Sequence, residues 1–148
     1  MTTATTRRTR QGRLQRTSRE ALTALGVQFL LGMGANLIRP AGGNPDGSRV
    51  IASVVLGLHV LVAVGLIVVA VRVLLAARSE RIGHRPALAA LVVTVATFLF
   101  GVGTVLTGSG WLSFLMAAGF LADAALYVGT YTLGSRARAS IRETEGTA

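Results

Sequence analysis

Residues 87–122 read ALAALVVTVATFLFGVGTVLTGSGWLSFLMAAGFLA, without one charged side chain. As a single helix this run would be about 54 Å long, against roughly 30 Å of hydrocarbon in a bilayer. Something must divide it. Thr107-Gly108-Ser109-Gly110 supplies the turn, and Trp111 directly after it suits the aromatic belt at a membrane surface. Two spans follow, 86–106 and 111–133. Pro86 takes a first-turn position where its missing N–H is no loss, and Asp123 is the only charge inside the second of the pair.

Working outward, two further uncharged runs appear. Residues 21–38, ALTALGVQFLLGMGANLI, lie between Glu20 and Arg39 and hold Gln28 and Asn36. Residues 50–77 are more apolar, and His59 is the one polar side chain between 54 and 71. That element is about 42 Å long as a helix, so it tilts or protrudes, with Arg72 reaching the headgroups. Segment 39–49, RPAGGNPDGSR, carries two prolines and three glycines and is read as a break between helices. Segment 78–85, RSERIGHR, is a short basic connection. Runs such as VLVAVGLIVVAV at 60–71 lack the period-two alternation of a barrel strand. Backbone groups in lipid must pair internally, which leaves helices. The expected fold is an all-α membrane protein, four transmembrane helices in an antiparallel bundle. It has a basic disordered tail at 1–19, a four-helix domain at 20–134 and a second tail at 135–148.

Composition agrees. Of 148 residues 51% are hydrophobic and 14% charged, and mean hydropathy is +0.60. That leaves too little polar surface to wet a soluble enzyme. The absence of Cys excludes disulfides, thiolate metal clusters and thiol nucleophiles.

The net charge of +9 invites a nucleic-acid reading until it is sorted along the chain. Six arginines precede residue 20, four lie between Arg72 and Arg85, and three follow Leu133. With four spans these segments share one side, which therefore holds 13 of the 15 basic residues; Arg39 and Arg49 face the other way. The positive-inside rule then places both termini in the cytoplasm of a bacterial inner membrane. No nucleic acid is implied. The implied partners are the bilayer, anionic headgroups at the cytoplasmic face, and a membrane partner or a second copy of the chain. All the basic residues are Arg, which with the abundant Ala, Val, Gly and Leu points to a GC-rich bacterial genome.

The basic start followed by an apolar stretch has the outline of a signal peptide, but 21–38 is long for an h-region and no A-x-A site closes it. It is read as an uncleaved anchor. The apolar residues expected after the Arg7-Arg8 pair of a twin-arginine signal are replaced by Thr9, Arg10 and Gln11. A transit peptide needs more bulky apolar residues than Leu14.

Each span shows one polar or small-residue face. These are Gln28, Gly32 and Asn36 in the first, and Ala52, His59, Ala63 and Ala70 in the second. They are Thr94, Thr97, Gly101 and Thr104 in the third, and Asp123, Tyr127 and Thr130, with Gly119 one turn away, in the fourth. Small residues at this spacing are what helix packing in lipid requires, and Gln28 and Asn36 read as interhelical hydrogen-bond groups. Asp123 stands apart, because a carboxyl deep in a bilayer must be neutral or paired. By depth it lies about 18 Å, and His59 about 13 Å, from the outer ends of their helices. A His59 to Asp123 contact with Tyr127 nearby, serving as a structural bond or as a ligand or proton-relay site, is feasible if the second and fourth spans touch.

Three function classes follow: a non-catalytic packing or partner subunit, a small proton-coupled transporter using Asp123 with His59, and a membrane cofactor protein. Small multidrug transporters carry their acid in the first span, where this chain has none. Haem b bundles need two axial His, whereas His84 sits in the basic loop, so haem enters only if a dimer shares His59. No metal site is expected. Ser53 or Ser113 with His59 and Asp123 lacks any G-x-S-x-G context for hydrolysis. The stretches QFLLGMGANLI at 28–38, LGLHVLVAVGLIVVAVRVL at 56–74 and SFLMAAGFLADAALYVGTY at 113–131 resemble small four-span membrane proteins of actinobacteria without assigned activity. Asn36, His59 and Ser113 to Met116 are the resembling points. The resemblance covers roughly residues 21–133 and implies an inner-membrane location and no mechanism.

Overall fold

The structure, a computed structural model, describes residues 2–37 and 45–146, with side chains described over 13–34, 50–136 and at 139. It is all-helical: α1 (Thr2–Leu37), α2 (Pro45–Glu80), α3 (His84–Thr107) and α4 (Gly110–Gly146). Among the described residues three segments are long and apolar enough to cross a membrane, Val50–Glu80, His84–Thr107 and Gly110–Arg136. They mark a membrane protein. α1 is not among these three, and its apolar run ends at residues 35–38, whose side chains lie outside the described residues.

The helices form a ring. α1 packs on α2 and α4, and α3 packs on α2 and α4; among the described residues no Cα of α2 comes within 8 Å of one in α4, nor α1 of α3. Neighbours run antiparallel: Leu14 meets Glu80 while Gly32 meets His59, Ser18 meets Thr130 while Phe29 meets Phe120, and Thr94 meets Tyr127 while Gly101 meets Met116.

Two turns follow from local backbone chemistry. After α2, Ile82 N–H reaches back to Ala77 O at 3.2 Å and Arg81 N–H to Arg78 O at 3.3 Å, with Arg81 left-handed at φ 55°. This is a Schellman ending in which Arg occupies the position glycine usually fills. Gly83, also left-handed at φ 69°, then admits α3. After α3, Gly108 closes the helix at φ 68° with its N–H on Thr104 O at 2.8 Å, inside the Thr-Gly-Ser-Gly segment expected to turn.

The helices outrun their apolar stretches. The prolines and glycines of 39–49 predict a break across the whole segment, yet α2 already begins at Pro45, a residue suited to a first helical turn; residues 38–44 lie outside the described set. The expectation of a disordered tail to residue 19 also differs from the structure. α1 is helical from Thr2, and Leu14, Thr17 and Ser18 are buried. Arg, Gln, Ser and Thr do not break a helix, and Leu14, Ser18, Ala21 and Leu25 at i, i+4, i+7 and i+11 give it a face to bury. α4 likewise continues to Gly146.

The core sits at the arginine-rich end. It combines Leu14, Ala21 and Leu25 with Leu66, Ala70, Val73, Ala77, Ala87, Ala90 and Tyr127. Its many alanines let backbones approach closely. Glu80 Oε1 accepts the Leu14 N–H at 3.0 Å and joins the end of α2 to α1.

Candidate functional site

The polar faces of the four helices meet in two separate groups, one between α1 and α2 and one between α3 and α4. In the first, Gln28 Nε2 lies 3.0 Å from His59 Nε2. One hydrogen bond thus joins the Gln28 amide to the His59 ring across the α1–α2 contact. Gly32 makes the approach possible, since a Cβ there would stand 3.2 Å from His59 Cε1. Gln28 Oε1 is buried without a partner among the described residues, and His59 Nδ1 is buried on the side of Gly32. The Asn36 side chain lies outside the described residues.

In the second group, Thr94 on α3 faces α4. Its hydroxyl meets Tyr127 Oη at 3.2 Å, and the Asp123 carboxyl lies beside it. Asp123 is 1% exposed and its Oδ1 has no partner. One turn outward Thr97 presses on Gly119, where a Cβ would overlap its hydroxyl; Thr97 Oγ1 is buried without a partner among the described residues. Gly101 against Met116 and Gly103 against Leu112 continue the same seam.

The expected contact between His59 and Asp123 is not formed. It required α2 to touch α4, and these helices stand diagonally across the ring. His59 takes its partner from α1, Asp123 from α3, and Tyr127 goes with Asp123. Sequence reasoning missed Ser18, whose hydroxyl pairs with Thr130 Oγ1 at 3.1 Å in the core. The signal was available in the four-residue spacing from Leu14, hidden among arginines.

As to chemistry, Ser53 stands six positions, about 9 Å along the axis, from His59 on α2, and Ser113 ten positions, about 15 Å, from Asp123 on α4, so neither helix brings its serine beside its own ionisable group. Among the described residues no three His, Asp or Glu side chains are grouped to hold a metal ion. The His59 Nε2 that an axial haem ligand would offer is taken by Gln28. At the arginine-rich end Glu20 accepts from Arg16 at 3.2 Å and faces Arg72 at 3.7 Å, both contacts exposed. Compared with known protein families, with curated proteins and with solved structures, the chain matches none.

Proposed function

We propose that this chain is a four-span protein of a bacterial inner membrane with both termini in the cytoplasm, acting as a packing or partner subunit rather than as a catalyst. The observation that carries the reading is the placement of 13 of 15 arginines in the segments at one end of the bundle. The exclusively Arg basic set and the resemblance to small actinobacterial four-span proteins support the location. Arginines at that end meet anionic headgroups. The chain has no Cys, so single cysteines at Thr3, Ser48, Ser109 and Ala139 test the topology with an impermeant maleimide on intact cells. Ser48→Cys and Ser109→Cys label from outside; labelling of Thr3→Cys or Ala139→Cys would overturn the orientation. Copurification in mild detergent tests the subunit role, which fails if the chain emerges alone and carries transport by itself.

One observation favours a second reading, a small proton-coupled transporter. It is the buried Asp123 with Oδ1 unpaired on the inner face of α4. Asp123→Asn then abolishes proton-linked flux in proteoliposomes without unfolding the protein, and wild-type flux in that variant ends the idea.

A further inference from the structure

Arg72 lies six residues, about 9 Å, inside Arg78 on α2, within the apolar run that ends at Ala77. A charge at that level needs a partner. Its partner is shared. Glu20 Oε1 accepts from Arg16 Nε at 3.2 Å while Oε2 faces Arg72 Nη1 at 3.7 Å, so one carboxylate spans two guanidiniums and the cluster keeps one positive charge. The other acids with described side chains stand elsewhere: Glu80 is eight residues, about 12 Å, from Arg72 along α2, and Asp123 is enclosed beside Thr94 at the α3–α4 contact.

The cluster looks outward. The Arg72 side chain is 60% exposed and that of Arg16 more so, whereas Val73 and Thr17, next to them in the chain, are buried. On a helix that spans a membrane an exposed side chain meets lipid. Two turns deeper on the face of Arg72, Gly65 has nothing within 4 Å of where a Cβ would stand. Two turns deeper than Glu20 on α1, Val27 is exposed. The outer side of the α1–α2 contact thus carries charge toward the arginine-rich end and open, apolar room below it.

A phosphodiester answers the charge. It brings one negative charge, equal to the excess, and two non-bridging oxygens that accept the forked N–H groups of guanidinium. The donors not turned to Glu20 are the Nη groups of Arg16 and Nε and Nη2 of Arg72. A zwitterionic headgroup carries its own ammonium and supplies no net countercharge.

We propose that Arg16 and Arg72, held at one height by Glu20, form a binding site for one anionic phospholipid, its phosphodiester between the two guanidiniums and an acyl chain running past Gly65. The site rests on the reading of the arginine-rich end as the end that faces headgroups, and it narrows that contact from thirteen arginines to two.

Native mass spectrometry of the full chain in detergent tests it, by titration with dioleoyl phosphatidylglycerol or with dioleoyl phosphatidylcholine. The first phosphatidylglycerol adduct is expected at a several-fold lower lipid concentration than the first phosphatidylcholine adduct. Arg72→Gln and Arg16→Gln should each weaken it several-fold. Arg85→Gln, which removes the same charge from the exposed start of α3, should leave it nearly unchanged. If one of the first two variants does not fold, the other decides. Millimolar inorganic phosphate should not displace the lipid; displacement would assign the two arginines to a free anion and overturn the proposal. Equal weakening in all three variants overturns the site while the general contact with headgroups stands. Equal binding of the two lipids by the wild type overturns both.

Discussion

The two halves of the bundle are built differently. At the arginine-rich end, Leu14 to Leu25 of α1, Leu66 to Ala77 of α2, Ala87 to Thr94 of α3 and Asp123 to Gly134 of α4 include every fully buried position among the described residues. Beyond that level no described residue is buried; Leu106 and Trp111 at the far end are 77% and 75% exposed. The buried half pairs its hydroxyls, Ser18 with Thr130 and Tyr127 with Thr94. The other half draws its helices together in twos, through Gly32 and Gly34 on one side and Gly101, Gly103 and Gly119 on the other. Unpaired polar atoms gather where the two schemes meet. The contrast teaches that glycine seams bind neighbouring helices, while filling the middle of a four-membered ring takes side chains from all of them.

If the buried half carries the stability, its largest side chain should matter most. Tyr127→Ala is expected to lower stability in detergent by about 3–5 kcal/mol. Phe120→Ala, which removes the tilted contact to Phe29 at 5.5 Å and a half-buried ring at the edge of the core, should lose about 1 kcal/mol beyond its area. Equal losses would erase the distinction between the halves. A smaller but more local effect is expected at the α3–α4 seam. Gly119→Ala should destabilise by about 1–3 kcal/mol through overlap with Thr97, and adding Thr97→Ala should recover part of it. Additivity in that double-mutant cycle would mean the seam is looser than the packing described. Ser18→Ala should then remove about 1 kcal/mol, leaving Thr130 with only its bond to the Tyr127 carbonyl. The smallest effect is a gain. Arg81→Gly relieves a left-handed arginine and should raise the unfolding midpoint by the equivalent of roughly 1 kcal/mol.

Much of this architecture was legible in uncharged runs. Length alone demanded a cut in 87–122, and Thr107 to Gly110 announced where. The inward stripes were legible too, because period 3.6 sorts Gln28 with Gly32 and Thr94 with Thr97. Partners were not. A stripe shows which face turns inward without saying which neighbour it meets, and depth counting placed His59 and Asp123 at similar heights without revealing that a ring sets their helices on a diagonal. Leu14 and Ser18 escaped notice for another reason. Their neighbours are arginines, whose exposed heads dominate composition while the small face between them packs.

Finally, the connections differ in length. Three residues join α2 to α3 and two join α3 to α4, so these three helices are strapped in register. α1 is separated from α2 by seven residues, and its height is set by side-chain contacts: Leu14 N–H on Glu80, Ser18 on Thr130 and Gln28 on His59. A slide of one turn, about 5.4 Å, would bring Gly32 to the height of Gln28 and strip His59 of its amide. His59 is therefore matched to one height of α1, the one at which Gln28 stands opposite its Nε2.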